Sequence, residues 1–282
     1  MKKQQFLLVG AAFVAFVLLF FFGRTVPPAK AKPDTAGMQH SEHQTLRSED
    51  VLAKAKERIT PAQSQRLLLL ENSVERGDIK DQKMHLYHQL ARFWSDSARI
   101  FEPYAYYTGE AAKLENSEKS LTFAAHLFLD NLMTAGDPAI QNWLANNAKD
   151  LFDKALVINP ANDSSKIGLA ACYMFGNISD NPMQAILTVR EIAQKNPGNL
   201  YAQMILGLGA KKTGQFDRAV ERFSIIVQKE PGNLDAMLNL AECYEEKGDK
   251  PSAIKWYESV RKLVKIPEAQ KELDQRINEL KK

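Results

Sequence analysis

A repeat with a period of 34 residues limits the fold of this sequence more than any other feature. The stretch GQFDRAVERFSIIVQKEPGN begins at Gly214, and a similar stretch, GDKPSAIKWYESVRKLVKIP, begins 34 residues later at Gly248. Ala219 and Ala253 keep the same separation. A period of this length is typical of helix pairs, each of which exposes an apolar face that only the next pair can cover. The repeat therefore predicts a stack of helix pairs.

The rest of the chain after Ser48 is also predicted to be helical. No window shows the alternation of apolar and polar residues, rich in Val, Ile, Thr and aromatics, that a sheet requires. Glycine and proline interrupt the apolar pattern at short intervals, and they suit the C-terminal cap and the first turn of a helix. The breaks are Thr60-Pro61, Gly77-Asp78, Gly136-Asp137-Pro138, Asn181-Pro182, Gly214, Gly248 and Ile266-Pro267. We therefore predict an all-α fold.

The repeated units resemble the tetratricopeptide repeat, in which a W-x2-L-G-x2-Y pattern precedes A-x3-F and a closing proline. In the unit that starts at Leu200, the matching residues are Leu206-Gly207, Ala219, Phe223 and Pro231. The unit from Leu234 matches at Leu240-Ala241, Tyr244, Ala253, Tyr257 and Pro267, and the unit from Asp163 matches at Leu169-Ala170, Tyr173, Ala185 and Pro197. The resemblance implies an α-α superhelix, a solenoid of antiparallel helix pairs.

The repeat pattern divides the helical part of the chain into predicted regions. Residues 118–266 are expected to form tetratricopeptide repeats. Residues 48–117 are expected to form a helical region with a degenerate repeat, because Ala91 and Pro103 keep only the alanine-to-proline spacing of the other units. Residues 267–282 carry one apolar stripe on an otherwise polar helix, so we predict a C-terminal cap for the open end of the solenoid.

The N-terminal segment FLLVGAAFVAFVLLFFF, residues 6–22, has no charged side chain and approaches the length of a membrane span. Backbone groups in lipid must pair internally, so we predict a helical single-pass transmembrane anchor over residues 1–24. A cleaved signal peptide is the alternative, since Lys2 and Lys3 precede the apolar run.

Residues 25–47 lack apolar periodicity and are predicted to form a flexible linker. We expect the protein to be located in the bacterial inner membrane, with its N-terminus in the cytoplasm and its soluble domain in the periplasm. Because basic residues flank the apolar segment on both sides, the opposite orientation stays open.

Charge, cysteine content and missing motifs argue against several classes of protein. The net charge is +3, from 37 basic and 34 acidic residues, which is too small for a protein that follows nucleic-acid phosphates. Cys172 and Cys243 are the two cysteines, so neither a disulfide framework nor a four-thiolate metal site is expected. The histidine pairs in HSEH (40–43) and HLYH (85–88) lack further metal ligands. Nucleotide-binding and nucleophile-elbow motifs are also missing. We therefore predict no catalytic residue, no cofactor and no metal.

The resemblance also implies where a partner would bind. In this family the concave surface comes mostly from the first helix of each pair. The inward positions here are Ile167, Met174 and Phe175, then Tyr201, Met204, Leu208, Lys211 and Lys212, then Asp235, Leu238, Glu242, Glu245 and Glu246. A groove whose floor is apolar and rich in methionine, and which turns acidic at one end, can accept an extended or helical segment of another protein. The alternative is that a neighbouring helix of the same chain covers this floor.

These features together predict a membrane-anchored, non-catalytic scaffold that binds protein or peptide segments in its concave groove. An alternative is a structural or assembly subunit of a larger envelope complex, which would self-associate through the helices between residues 48 and 135. An enzyme is a third possibility, but its candidate residues are too scattered to support it. They are His85, His88, Asp96 and Glu102.

Overall fold

The computed structural model describes residues 46–75, 80–178 and 182–282. Within these ranges the chain forms thirteen α-helices and one short π-helix, and no residue lies in a β-strand. The helices are α1 (Ser48–Lys56), α2 (Pro61–Glu75), α3 (Lys80–Arg92), α4 (Phe101–Glu115), α5 (Glu118–Leu132), α6 (Pro138–Ile158), α7 (Asp163–Phe175), α8 (Met183–Lys195), α9 (Leu200–Lys212), α10 (Phe216–Lys229), α11 (Leu234–Glu246), α12 (Lys250–Leu263) and α13 (Pro267–Leu280). The prediction of an all-α fold is confirmed.

Helix caps and turns recur at the spacing of the sequence repeat. The side chains of Asn162, Asn199 and Asn233 precede α7, α9 and α11, and each accepts a hydrogen bond of 2.9 or 3.0 Å from the backbone N–H three residues later. This bond satisfies an amide that has no partner within the first turn of a helix. Gly214 and Gly248 lie in the turns after α9 and α11 with φ of 71° and 76°, a backbone conformation that favours glycine. The repeat therefore specifies where each helix pair begins and turns.

Successive helices pack as hairpins. Helices α5 and α6, α7 and α8, α9 and α10, and α11 and α12 form pairs in chain order. The first helix of each pair also contacts the first helix of the next pair, so that α5, α7, α9 and α11 form one layer. Helix α13 packs on α12. The described residues thus form the helical-repeat solenoid that the sequence predicts.

Glycines on the first helices allow close approach of aromatic rings from the second helices. The fully buried ring of Phe223 on α10 lies against Gly207 on α9, where a Cβ would come within 2.7 Å of the ring. The ring of Phe152 on α6 lies against Gly168 on α7 in the same manner. Full burial of a phenylalanine side chain contributes about 1.5–3 kcal/mol to stability. Because glycine has no Cβ, the ring can touch the backbone of the facing helix, and these contacts set the distance between the helices.

The N-terminal helices form a cluster with larger side chains. Trp94 and Phe93 are buried and pack edge to face, with ring centroids 5.3 Å apart. Both rings belong to the π-helix Phe93–Ala98, which follows α3 and ends at Arg99, where φ is 54°. A π-helix widens the helical turn, so it displaces the residues that follow from the regular register. The division of the chain into domains, including the degenerate repeat within 48–117, stays a prediction.

Helix α1 packs against the N-terminal part of the repeat array. It contacts α4, and Val51 is buried in the same core as residues of α5, α6 and α7. The Oγ atom of Ser48 accepts a hydrogen bond of 3.1 Å from Nε1 of Trp143 on α6. The predicted anchor over 1–24 and most of the predicted linker over 25–47 lie outside the described residues. Within the described ranges, no helix combines the length and the apolar character that a membrane span requires.

Candidate functional site

A cavity of about 530 Å³ opens between the last helices of the array. Helices α9, α11 and α13 form its sides, and the end of α12 contributes to its floor. Its lining residues are Lys211, Leu238, Glu242, Glu245, Glu246, Tyr257, Val260, Val264, Ala269, Glu272, Leu273 and Arg276. We name this cavity the C-terminal groove. Ligand sites typically have volumes of about 300–1,000 Å³, so the groove has room for a few side chains of a partner.

The spacing of residues along α11 explains which face of this helix meets the groove. Leu238, Glu242 and Glu245 are separated by four and three residues, which places them on one side of an α-helix. Ala236 and Leu240 lie on the opposite side and are fully buried. Helix α11 therefore presents one apolar and several acidic side chains to the groove while its other face holds the array together.

Lys211 connects α9 to α11 at one side of the groove. Its Nζ atom donates a hydrogen bond of 2.8 Å to Oδ1 of Asn239 and forms a salt bridge with the Glu242 carboxylate. All three side chains are partly buried, which reduces the screening of the ion pair by water. The lysine is therefore engaged with acceptors of its own chain.

Glu245 receives hydrogen bonds from both α12 and α13. Its Oε2 atom accepts a bond of 2.9 Å from Oη of Tyr257 and a bond of 3.0 Å from Nε of Arg276. Hydrogen bonding to the Glu245 carboxylate and its charge raise the pKa of Arg276. Burial, together with the same carboxylate, raises the pKa of Tyr257 above its usual range, so the phenol remains a donor at neutral pH. This network fixes α13 against α11.

The sequence-predicted site residues of the last repeat are close to this groove. Lys211, Leu238 and Glu242 line it, together with Glu245 and Glu246. Asp235 is exposed in the first turn of α11, on the same helix but not among the lining residues. The structure thus brings the predicted lysine, leucine and glutamates around one open space.

The predicted site residues of α7 lie in the core instead. Ile167 is fully buried, and Met174 and Phe175 are each only 9% exposed. Helix α7 contacts α5, α6, α8 and α9, so its predicted inward face is covered by neighbouring helices of the same chain. Ile167, Met174 and Phe175 therefore expose little surface to a partner. Their assignment to a partner-binding surface stays a prediction.

The predicted site residues of α9 are mostly occupied by internal contacts. The ring of Tyr201 packs against His126 of α5 with centroids 5.4 Å apart, and its buried hydroxyl has no hydrogen-bond partner among the described residues. Burial raises the pKa of Tyr201 and lowers that of His126. Met204 and Leu208 are partly buried in the cluster that contains Phe223. Little of these side chains is available to a partner.

Lys212 covers the C-terminal end of α7. Its Nζ atom donates a hydrogen bond of 3.1 Å to the carbonyl oxygen of Met174 and lies 5.5 Å from the centroid of the Phe175 ring. A lysine at the C-terminal end of a helix interacts favourably with the partial negative charge there. Lys212 therefore has a structural role at this position, although its side chain is exposed.

Sequence reasoning missed the contributions of α12 and α13 to the groove. These residues are Tyr257, Val260 and Val264, followed by Ala269, Glu272, Leu273 and Arg276. The sequence predicts α13 as a polar cap, whereas it also occupies the place at which the first helix of another pair would follow α12. Counting inward positions on α13 as on a repeat helix is the signal that would have found Ala269, Glu272 and Arg276.

A second cavity, of about 330 Å³, lies within the α7/α8 hairpin. It is lined by Lys166, Leu169, Ala170, Tyr173, Gln184, Ala185 and Thr188. Ala185 occupies the repeat position of Ala148, Ala219 and Ala253, which are all fully buried, but is itself partly exposed. This hairpin is therefore open where the others are closed.

Other candidate chemistry is weak in the described part of the chain. No group of three or more His, Cys, Asp and Glu residues there is placed to hold a metal ion. His85 and His88 are exposed on α3, and the HSEH pair lies outside the described residues. Cys172 and Cys243 are free and buried, and burial raises the pKa of these thiols to about 12 and about 11. Both thiols are therefore protonated at neutral pH.

Residues 206–264, which include most of α9 and all of α10, α11 and α12, match the family model of the tetratricopeptide repeat. This stretch of the chain is therefore similar to the tetratricopeptide repeat. The resemblance drawn from Gly207, Ala219 and Phe223 is confirmed for this part of the chain. No curated protein matches the sequence.

Several solved structures are similar to this chain. A tetratricopeptide repeat protein from Parabacteroides merdae ATCC 43184 is 14% identical, with 83% of this chain and 86% of that chain covered and a TM-score of 0.53. MamA from Desulfovibrio magneticus RS-1, from its residue 41 onward, is 20% identical, with 66% and 96% covered and a TM-score of 0.42. YrrB, a tetratricopeptide repeat protein with an unusual peptide-binding site, is 17% identical, with 73% and 97% covered and a TM-score of 0.41. At these identities, the likeness to the Parabacteroides protein shows the fold alone.

Proposed function

We propose that this chain is a non-catalytic scaffold that binds segments of partner proteins in its C-terminal groove. The groove carries the proposal because it joins an accessible apolar floor to a charged rim, and most of its lining residues lie in the region that matches the repeat family. Leu238, Val264 and Leu273 are partly exposed and supply the floor. Apolar anchors with a polar rim are the usual composition of a surface that binds peptide segments.

Site-specific crosslinking tests this function. A photoreactive amino acid at Leu238 places the probe in the groove, and the same amino acid at Gln228, which is exposed on α10, provides the matched control. We expect irradiation of intact cells to yield a discrete adduct with another protein from position 238 and not from position 228. Adducts of the chain with itself alone would favour the self-associating subunit, and no adduct at position 238 would contradict the scaffold.

We further propose that the segment 6–22 tethers this scaffold to the bacterial inner membrane, with the repeats in the periplasm. The support is the uncharged, apolar sequence of that segment. Substitution Lys282→Cys provides a label site at the end of α13, and the background is low because Cys172 and Cys243 are buried. We expect a membrane-impermeant maleimide to label Lys282→Cys once the outer membrane is permeabilised. Labelling that requires disruption of the inner membrane would place the repeats in the cytoplasm.

A further inference from the structure

We infer that the occupant of the C-terminal groove is a basic segment of a partner protein, with lysine or arginine side chains flanking apolar ones. This inference rests on the proposed function and specifies the chemistry of the partner. The groove is lined by four glutamates and by only two basic residues. The glutamates are Glu242, Glu245, Glu246 and Glu272, and the basic residues are Lys211 and Arg276.

Both basic residues of the groove are already paired with its acidic residues. Lys211 forms a salt bridge with Glu242, and Arg276 forms one with Glu245. These pairs leave Glu246 without a salt bridge among the described residues. Glu272, on the facing helix α13, has none there either, and both side chains are exposed. The groove therefore keeps negative charge on two of its sides.

Two of the basic residues next to the groove, Lys247 and Arg261, do not neutralise this charge, because they have other partners. Lys247, which follows α11, lies 2.5 Å from Oδ1 of Asp217 on α10. Arg261 on α12 forms a salt bridge with Asp274 on α13. Asp235 adds another exposed carboxylate at the start of α11, also without a salt bridge among the described residues. The residues that line the groove therefore offer an acidic charge to a partner.

Charge and apolar area together define the partner. The floor formed by Leu238, Val264 and Leu273 favours leucine or valine side chains, since burial of apolar surface stabilises association. Glu246 and Glu272 attract lysine or arginine and repel acidic segments, so they provide specificity and faster association rather than most of the affinity. A segment that alternates basic and apolar residues satisfies both requirements.

Fluorescence anisotropy with the full-length chain in a non-ionic detergent tests this inference. The probes are a labelled peptide of alternating lysine and leucine, the same peptide with glutamine for lysine, and the same peptide with glutamate for lysine. We expect the lysine peptide to bind about tenfold more tightly than the glutamine peptide, with an advantage that decreases as salt is added. The glutamate peptide is expected to bind most weakly.

A double variant assigns this preference to the groove. Glu246→Gln with Glu272→Gln should weaken binding of the lysine peptide about fivefold, since each exposed ion pair contributes roughly 0.2–1 kcal/mol. The matched control is Glu57→Gln with Glu221→Gln, which changes the net charge equally at exposed positions outside the groove. This control should bind the lysine peptide as the unmodified chain does.

The outcomes separate this inference from the proposed function. Equal binding of the lysine and glutamine peptides, or an unchanged affinity in the Glu246→Gln/Glu272→Gln variant, would overturn the inference. If the glutamine peptide binds and Leu238→Ser abolishes that binding, the groove still binds peptides and only the basic partner is wrong. If no peptide binds and crosslinking from position 238 yields only the chain itself, both proposals are wrong.

Discussion

The hairpins α7/α8 and α9/α10 share a repeat pattern but pack differently. In α9/α10, the ring of Phe223 lies against Gly207, and Ala219 is fully buried. In α7/α8, Val189 takes the position of Phe223, and Ala185 lines a cavity of about 330 Å³. The repeat unit is also longer in α7/α8, since its closing proline follows the preceding one by 37 residues.

This difference shows that a small residue permits close packing of a hairpin but does not produce it. Ala170 and Ala185 are both small, yet the space between their helices is unfilled. Val189 is itself fully buried and does not line this cavity, and it has fewer atoms than the phenylalanine ring to fill the space between the helices. Because voids forfeit dispersion contacts, the open hairpin gains less from packing than its neighbour. The comparison therefore predicts that the aromatic residue of the second helix is the determinant of closure.

The largest expected effect on stability comes from removal of the Phe223 ring. Phe223→Ala should lower the free energy of unfolding by about 3–5 kcal/mol, because it removes a fully buried ring and leaves a cavity. Val189→Ala should lower it by only about 2 kcal/mol, since fewer buried atoms are lost. Urea unfolding of both variants, followed by circular dichroism, measures the difference.

Equal losses in Phe223→Ala and Val189→Ala would contradict the comparison, because they would show that the valine supports its hairpin as strongly as the phenylalanine does. Repeat arrays can unfold in stages, so amide hydrogen exchange of α7/α8 and α9/α10 should accompany the measurement. We expect exchange in the unmodified chain to be faster in α7/α8.

A smaller effect is expected when a side chain is enlarged in each hairpin. Ala219→Leu places extra atoms into a closed contact and should destabilise the chain by about 1–3 kcal/mol. Ala185→Leu directs the same atoms toward the open cavity and should change stability by no more than about 1 kcal/mol in either direction. Thermal melting of both variants is the measurement. A large loss in Ala185→Leu would mean that the cavity is not available to a side chain.

Much of the regular part of the fold was predictable because its determinants are local. Gly214 and Gly248 mark the turns, and Gly207 with Phe223 identifies a close helix crossing, each within one repeat unit. The match to the repeat family over 206–264 covers this same stretch. By contrast, the aromatic cluster and π-helix near residues 93–98 follow from packing between helices that have no repeat signal.

The burial of the predicted α7 site residues was not predictable from the repeat. It depends on α5, which meets the start of α7 through polar side chains, and on α9, whose Lys212 covers the C-terminal end of α7. His126 lies 3.0 Å from Oγ of Ser164, and Oγ1 of Thr122 lies 3.1 Å from Oγ of Ser165. Such contacts between distant residues leave no periodic signal in the sequence. The groove at α11 was predictable in part because the resemblance to the repeat family implies inward positions for Leu238 and Glu242.

The smallest effect is expected from a change that keeps the ring and removes only a hydroxyl. In α12 the aromatic position is taken by Tyr257, whose hydroxyl donates to Glu245, and Ala253 beside it is fully buried. Tyr257→Phe should lower stability by about 1 kcal/mol, the usual contribution of one hydrogen bond, because Arg276 still satisfies the carboxylate. Tyr201→Phe is the matched control and should cause no loss, since the Tyr201 hydroxyl has no partner among the described residues. A loss of stability in Tyr257→Phe as large as that in Phe223→Ala would contradict the comparison of α7/α8 with α9/α10. It would show that closure of the α11/α12 hairpin depends on the hydrogen bond to Glu245 and not on the aromatic ring.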